Sequence, residues 1–232
     1  CGFGDGSTDS DSPGRIRVAF ADFLARHTGD EYAGWYVAKC APTLQSDFLL
    51  RLERIVNSYG YSTVQPDNIT RLLWYKDCGE VVMHSDLSNP DANLSISFRS
   101  SRYGNTNHMY ANQNAFNLLY KGVPVFYNTG YYVKYGTPHH LTDSRHSRAH
   151  NTILVNGIGQ SFSTEAWGHV RRAASTDVIA YSMGDASYAY ADTSRLEAWV
   201  RNIAAAGLKQ TPEYGFGKTP LTKYLRHCLM LG

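Results

Sequence analysis

The texture of the chain changes near Leu72, and that change limits the possible folds more than any other feature. From there on, short runs rich in β-branched and aromatic residues alternate with Gly, Asn, Asp and Pro, the pattern of strands joined by tight turns. Candidate strands are residues 79–84, 94–98, 116–120, 123–128, 151–155, 170–176, 178–183 and 196–203. Lys121-Gly122 places a tight turn between two of these runs, which predicts a hairpin, and Asn156-Gly157 marks another turn. The apolar run from Arg226 onward reads as a further strand, cut short. Many short strands and few helices argue for an antiparallel β-sandwich.

Upstream the period is helical. Ser12-Pro13 forms a cap and first-turn pair. Ile16, Ala19, Phe20, Phe23 and Leu24 then recur at three- and four-residue steps, which predicts one apolar helix face. Gly29-Asp30 breaks this helix, residues 32–39 form a second, and Phe48, Leu49, Leu52, Ile55 and Val56 mark a third. Short helices on short loops point to a bundle or toroid of hairpins. The polar stretch from Tyr61 to Arg71, which holds Pro66, is the expected boundary. The fold class expected is therefore α+β, with helices in residues 1–70 and the sandwich in residues 71–232.

Composition excludes some functions. With 22 Lys+Arg against 20 Asp+Glu, the net charge of +2 gives no basic excess for nucleic-acid binding. No stretch is long and apolar enough to span a membrane. The four Cys form no CxxC pair, so a zinc ribbon or a redox motif is unsupported. The 17 Tyr bring flat apolar rings with hydroxyl tips, which suit sugar rings as well as strands. The chain opens on what reads as an interior loop, so it is expected to be a piece of a longer protein, and a missing signal peptide says nothing of secretion.

The chemistry concentrates between Asn107 and Gln160. This stretch holds His108, His139, His140, His146 and His150 and the adjacent pair Tyr131-Tyr132. Loops rich in His and Tyr beside apolar strands are more often sites than scaffolding.

Here a resemblance becomes specific. Asn107-His108-Met109-Tyr110-Ala111-Asn112-Gln113-Asn114-Ala115-Phe116, a hairpin, and then Asn128-Thr129-Gly130-Tyr131-Tyr132 resemble the heparinase II/III family signature. That signature starts Gly-His-x-His-x-Asp-Gln-x-x-Phe and ends Asp-x-Gly-x-Tyr. Arg148-Ala149-His150-Asn151-Thr152, with Asn156-Gly157 beyond a strand, resembles the next family block, and residues 79–86 resemble the strand that opens the sandwich.

The resemblance implies β-elimination on a uronic-acid polysaccharide, in a cleft between an α/α toroid and an antiparallel β-sandwich. On this basis residues 1–70 are the last helices of the toroid and residues 71–232 a truncated sandwich. His108 and Tyr132 take the catalytic positions, and the two rings are expected to face one groove. Tyr110, Gln113, His139, His140 and Arg148 are the substrate-binding candidates, with Gln113 and Asn151 expected mainly to brace the loops by hydrogen bonds. Relatives often hold zinc on the second signature His, the Asp and a later His. Here those positions are Tyr110, Asn128 and His150, and neutral Asn and phenolic Tyr are poor or uncommon zinc ligands. The expectation is a degraded metal site and no cofactor. In such lyases a catalytic Tyr and the carboxylate-neutralising Asn or His usually lie on the toroid, most of which is expected to precede Cys1, so this chain by itself is expected to lack activity. The implied partner is an anionic polysaccharide, and the implied location is the periplasm or outside the cell. Three other functions stay open: a carbohydrate-binding sandwich without catalysis, a uronate epimerase that returns the proton it removes, and a purely structural domain.

Overall fold

Among the described residues eight antiparallel strands make two sheets. β1 (Leu72–Tyr75), β2 (Glu80–His84), β3 (Leu94–Arg99), β4 (Ala115–Tyr120) and β5 (Val123–Phe126) form one sheet in chain order; β6 (His169–Ser175), β7 (Ile179–Asp185) and β8 (Leu225–Leu231) form the other. The computed structural model describes residues 15–40, 52, 55, 56, 60–67, 69–106, 108–130 and 134–231. They divide into two compact units, with the boundary between Ile69 and Thr70.

The two sheets share one core. Val81 and Met83 of β2, Phe98 of β3, Val170 of β6, Ala180 of β7, and Cys228 and Met230 of β8 are all buried in it. On β8 the alternation is plain: Cys228 and Met230 point inward, while His227, Leu229 and Leu231 are exposed. Tyr120 pairs with Val123 across Lys121-Gly122, and both turn residues have positive φ (54° and 76°). That conformation matches the twist of the flanking strands, so the expected hairpin forms.

Two candidate strands are not strands. Residues 197–203 lie instead in helix α3 (Glu197–Ala205), with Leu196 at its N-cap. Val200 and Ile203 carry β propensity, but Trp199 and Ile203 lie one helical turn apart and are both buried, and Glu197 pairs with Arg201 at 3.5 Å. The helix closes on Gly207 (φ 71°), whose N–H bonds the Ala204 carbonyl while the Leu208 N–H bonds the Ile203 carbonyl. Residues 151–155 run irregularly, with a single bridge from Val155 to Ile158. Asn151 and Thr152 spend their side chains on the carbonyls of Phe116 and Gln113, at 2.9 and 3.0 Å, so these contacts hold the segment where a ladder was expected.

In the first unit, α1 (Arg15–Thr28) and α2 (Glu31–Lys39) follow the expected helices. The buried stripe of α1 is Val18, Ala19, Asp22 and Ala25, whereas Phe20 and Phe23 are exposed. The expected apolar face is thus displaced around the helix. Asp22 can sit on the inner stripe because Tyr61 and Arg26 donate to its carboxylate at 2.7 and 3.1 Å. Asp30 caps α2 by accepting from the Ala33 N–H at 2.8 Å. Ser12-Pro13, Phe48 and Leu49 lie outside the described residues. No described helix is long and apolar enough to cross a membrane.

Candidate functional site

The connection from β3 to β4 carries the first signature block, and a knot of buried polar side chains holds it in place. Gln113 is fully buried. Its Oε1 accepts from the Ser101 N–H at 2.7 Å, and its Nε2 donates to the Gly104 carbonyl and to Asn105 Oδ1 at 3.2 and 3.1 Å. Gln160, arriving after the Asn156-Gly157 turn, binds the Gln113 backbone from the other side. Ser147 Oγ donates to the Ala111 carbonyl at 2.7 Å and accepts from the Gln160 N–H at 2.9 Å. Beneath them the Arg99 guanidinium is completely buried and donates to Asn112 Oδ1 at 2.6 Å. Its burial lowers the guanidinium pKa to about 10.

His108 stands at the outer end of this loop, exposed, in a turn closed by the Met109 N–H on the Thr106 carbonyl at 2.9 Å. Arg145 anchors the turn. Its Nη2 donates to the Met109 carbonyl at 3.0 Å, and its own carbonyl accepts from the Ala111 N–H at 2.9 Å. The guanidinium carbon lies 4.0 Å from the centre of the Phe162 ring, which in turn stacks on Trp199 of α3 at 4.3 Å. The helix that sequence reading took for a strand therefore props the loop bearing His108.

The histidines of the second block split by environment. His139 is exposed, 3.7 Å from Asp143. His140 is buried in the π-helical turn His140–Ser144, where its Nδ1 accepts from the Gly136 N–H at 2.9 Å and its ring lies 4.9 Å from that of Tyr135. His146 is buried too. Its Nε2 donates to the Gly215 carbonyl at 2.9 Å, and its Nδ1 accepts from both the backbone N–H and the Nε of Arg148 at 3.2 Å. That pattern requires the neutral ring, and burial, helped by the Arg148 charge, lowers its pKa to about 4. His150 is likewise lowered to about 4, chiefly by burial; its Nε2 donates to the Ser144 carbonyl at 3.0 Å. The exposed Arg148 is tied down by Nη2 on the Tyr214 carbonyl at 2.9 Å.

Of the sequence-derived site residues, His108, His139 and Arg148 face solvent, whereas Tyr110, Gln113 and His140 are buried. Tyr132, with Tyr131 and Asn107, lies outside the described residues. The structural roles of Arg145, His146 and Gln160 escaped the sequence reading. For His146 and Gln160 only their place inside the His-rich stretch pointed to them, while Arg145, which reads in the sequence as a surface charge able to meet an acidic group, is buried.

The decisive comparison is with family models: the one described as "Heparinase II/III-like, C-terminal" matches residues 43–205, more than half of the chain. The chain belongs to this family. Its fold resembles that of two solved heparinase-type lyases. One is the heparan sulfate lyase HepC from Pedobacter heparinus (TM-score 0.52, 14% identity, 80% of this chain and 25% of that one). The other is a heparinase III (TM-score 0.54, 14% identity, 80% and 26%). The chain spans about a quarter of the length of each. No curated protein matches it.

The sandwich brings together Tyr110 and His150, two of the three positions at which the resemblance places the zinc of relatives. The Tyr110 ring lies 5.1 Å from that of His150, and the Thr129 N–H next to Asn128 bonds the Ala149 carbonyl at 2.9 Å. A phenol, an amide and a single imidazole are a poor donor set for zinc. Among the described residues no three His, Cys, Asp or Glu gather to hold an ion. These residues do not fit the metal.

Proposed function

We propose that the protein carrying this chain is a polysaccharide lyase that cleaves a uronic-acid polymer by β-elimination. Because the chain spans about a quarter of the similar lyases, the reaction is proposed for the whole protein, with the helices of the first unit as the end of an α/α toroid. The observation that carries the proposal is His108: in a chain of the heparinase II/III-like family, it is an exposed imidazole at a signature position, on a turn anchored from below by Arg145.

The chemistry follows from the substrate. The proton on the carbon next to a uronate carboxylate is weakly acidic, and its removal leaves charge on the carboxylate oxygens, which needs hydrogen bonds or a cation. A base takes the proton, and an acid protonates the departing glycosidic oxygen. In this reading His108 and Tyr132 share the two proton transfers. Exposed His139 and Arg148 are the substrate contacts, and Arg148, held by its Nε and Nη2, can offer the N–H donors of Nη1 to a carboxylate. Tyr110, Gln113 and His140, enclosed in the protein, act by shaping the loops. A substrate of this kind implies a periplasmic or secreted enzyme.

The test is incubation of the whole protein with a panel of uronate polysaccharides while following the ultraviolet absorbance of the unsaturated product. Cleavage of at least one polymer with rising absorbance is the expected result. Solvent deuterium entering the polymer without cleavage would point to an epimerase, and no change on any substrate counts against both.

A further inference from the structure

One end of the sandwich holds a groove of about 780 Å³, and His108 is not among the residues that line it. Its size falls within the roughly 300–1,000 Å³ usual for ligand sites. Its walls come from the β1–β2 turn, the exit of β3 and the start of β6, and they carry Lys76, Arg102, Arg171 and Arg172. The single carboxylate in the lining is Asp77.

A backbone irregularity arms this groove. Val170 pairs with Gly184 and Arg172 with Met183, so Arg171 is an extra residue in β6. Consecutive side chains on a regular strand point to opposite faces. The bulge breaks that alternation, and Arg171 and Arg172 both line the groove. Arg171 is fixed: its Nη2 lies 2.6 Å from the carboxylate of Asp185, and its Nε donates to His169 at 3.3 Å. Among the described residues neither Arg102 nor Arg172 has an ion-pair partner, and both are exposed.

Flat rings flank these charges. Tyr103, on the groove wall, is 65% exposed. An adjoining cavity of about 320 Å³ shares Arg102 and His169 and adds Trp167. Trp167 stacks on Tyr188 at 4.5 Å with only 18° between the planes, and Tyr188 is 58% exposed.

We propose that this groove is a second binding site for anionic polysaccharide, with Arg102 and Arg172 taking acidic substituents and Tyr103 and the Trp167–Tyr188 pair presenting apolar faces to the sugar rings. The identity of the ligand rests on the lyase reading above; the site itself rests on the bulge, the exposed Arg102 and Arg172 and the exposed rings. Guanidinium groups pair with carboxylates and sulfates through two parallel N–H donors, and the overall charge of only +2 does not favour a nucleic acid.

Binding is measured by fluorescence anisotropy on the whole protein carrying His108→Ala, so that no labelled polymer is consumed. The probes are oligomeric alginate, dextran sulfate, neutral dextran and a single-stranded oligonucleotide. The expected result is binding of alginate, dextran sulfate or both, with no binding of dextran. Adding Arg102→Gln and Arg172→Gln together weakens that binding at least about tenfold, whereas Arg201→Gln on α3 does not. Alginate alone binding identifies carboxylate as the group recognised, dextran sulfate alone sulfate, and both the charge they share. The proposal is overturned if the double variant binds like its parent with an unchanged circular dichroism spectrum, if Arg201→Gln weakens binding as much, or if the oligonucleotide or dextran binds as tightly as the best acidic glycan. A protein without lyase activity that still shows the arginine-dependent loss keeps the groove and sinks the lyase reading. An active lyase without that loss does the reverse.

Discussion

The side-chain amide of Gln160 pairs with both backbone groups of Gln113: the Gln113 N–H donates to Gln160 Oε1 at 2.7 Å, and Gln160 Nε2 donates to the Gln113 carbonyl at 2.8 Å. The geometry imitates one rung of a β-ladder with a side chain in place of a strand. It closes the loop that bears His108 where no strand can reach. Substituting Gln160→Leu keeps the volume and leaves the buried Gln113 N–H unpaired, while the Gln113 carbonyl keeps the Thr152 hydroxyl. At about 1–3 kcal/mol for a buried unpaired group, the loss of stability should be about 1–3 kcal/mol. Urea denaturation followed by tryptophan fluorescence measures it.

His146 makes the sandwich unit sensitive to acid. Its folded pKa of about 4 lies below the ordinary 6.5, so between these values the unfolded chain binds a proton that the folded chain refuses. Its contribution is therefore complete above about pH 6.5 and is lost as the pH falls toward 4, with a slope of up to about 1.4 kcal/mol per pH unit. His150 adds a contribution of the same sign. Denaturation midpoints measured from pH 7 to pH 4 should fall steadily, and His146→Gln should flatten the slope between pH 6.5 and 4.

Arg145 should matter to catalysis without touching substrate. Arg145→Met keeps a long apolar stem against Phe162 but removes the N–H that holds the Met109 carbonyl. On the lyase reading, His108 then loses its fixed position, and displacements of about 1 Å can cost on the order of a hundredfold in rate. We expect kcat to fall more than KM rises, with the fold retained by circular dichroism. Equal changes in both, or none, would argue that the anchor has no bearing on the reaction.

Local signals were readable in the sequence and distant ones were not. The Tyr120–Val123 hairpin was legible because Lys121-Gly122 states its own turn geometry. Helix α3 was misread because Val200 and Ile203 favour strands, and only the burial of Trp199 and Ile203 on one side decides for a helix. The His-rich loops stood out by composition, yet their sorting into exposed His108 and His139 and enclosed His140 and His146 depends on partners far along the chain, such as Gly215. The extra residue at Arg171 left no mark in the sequence, since a bulge exists only relative to the strand beside it.

The most direct test of the central claim compares the whole protein with its His108→Ala variant on the uronate polymer that is cleaved fastest, following product absorbance alongside polymer affinity. General acid–base groups contribute about 10²–10⁴-fold, so the lyase account predicts a fall in turnover of at least about a hundredfold while the polymer still binds. Turnover within about twofold of the unaltered protein would contradict it.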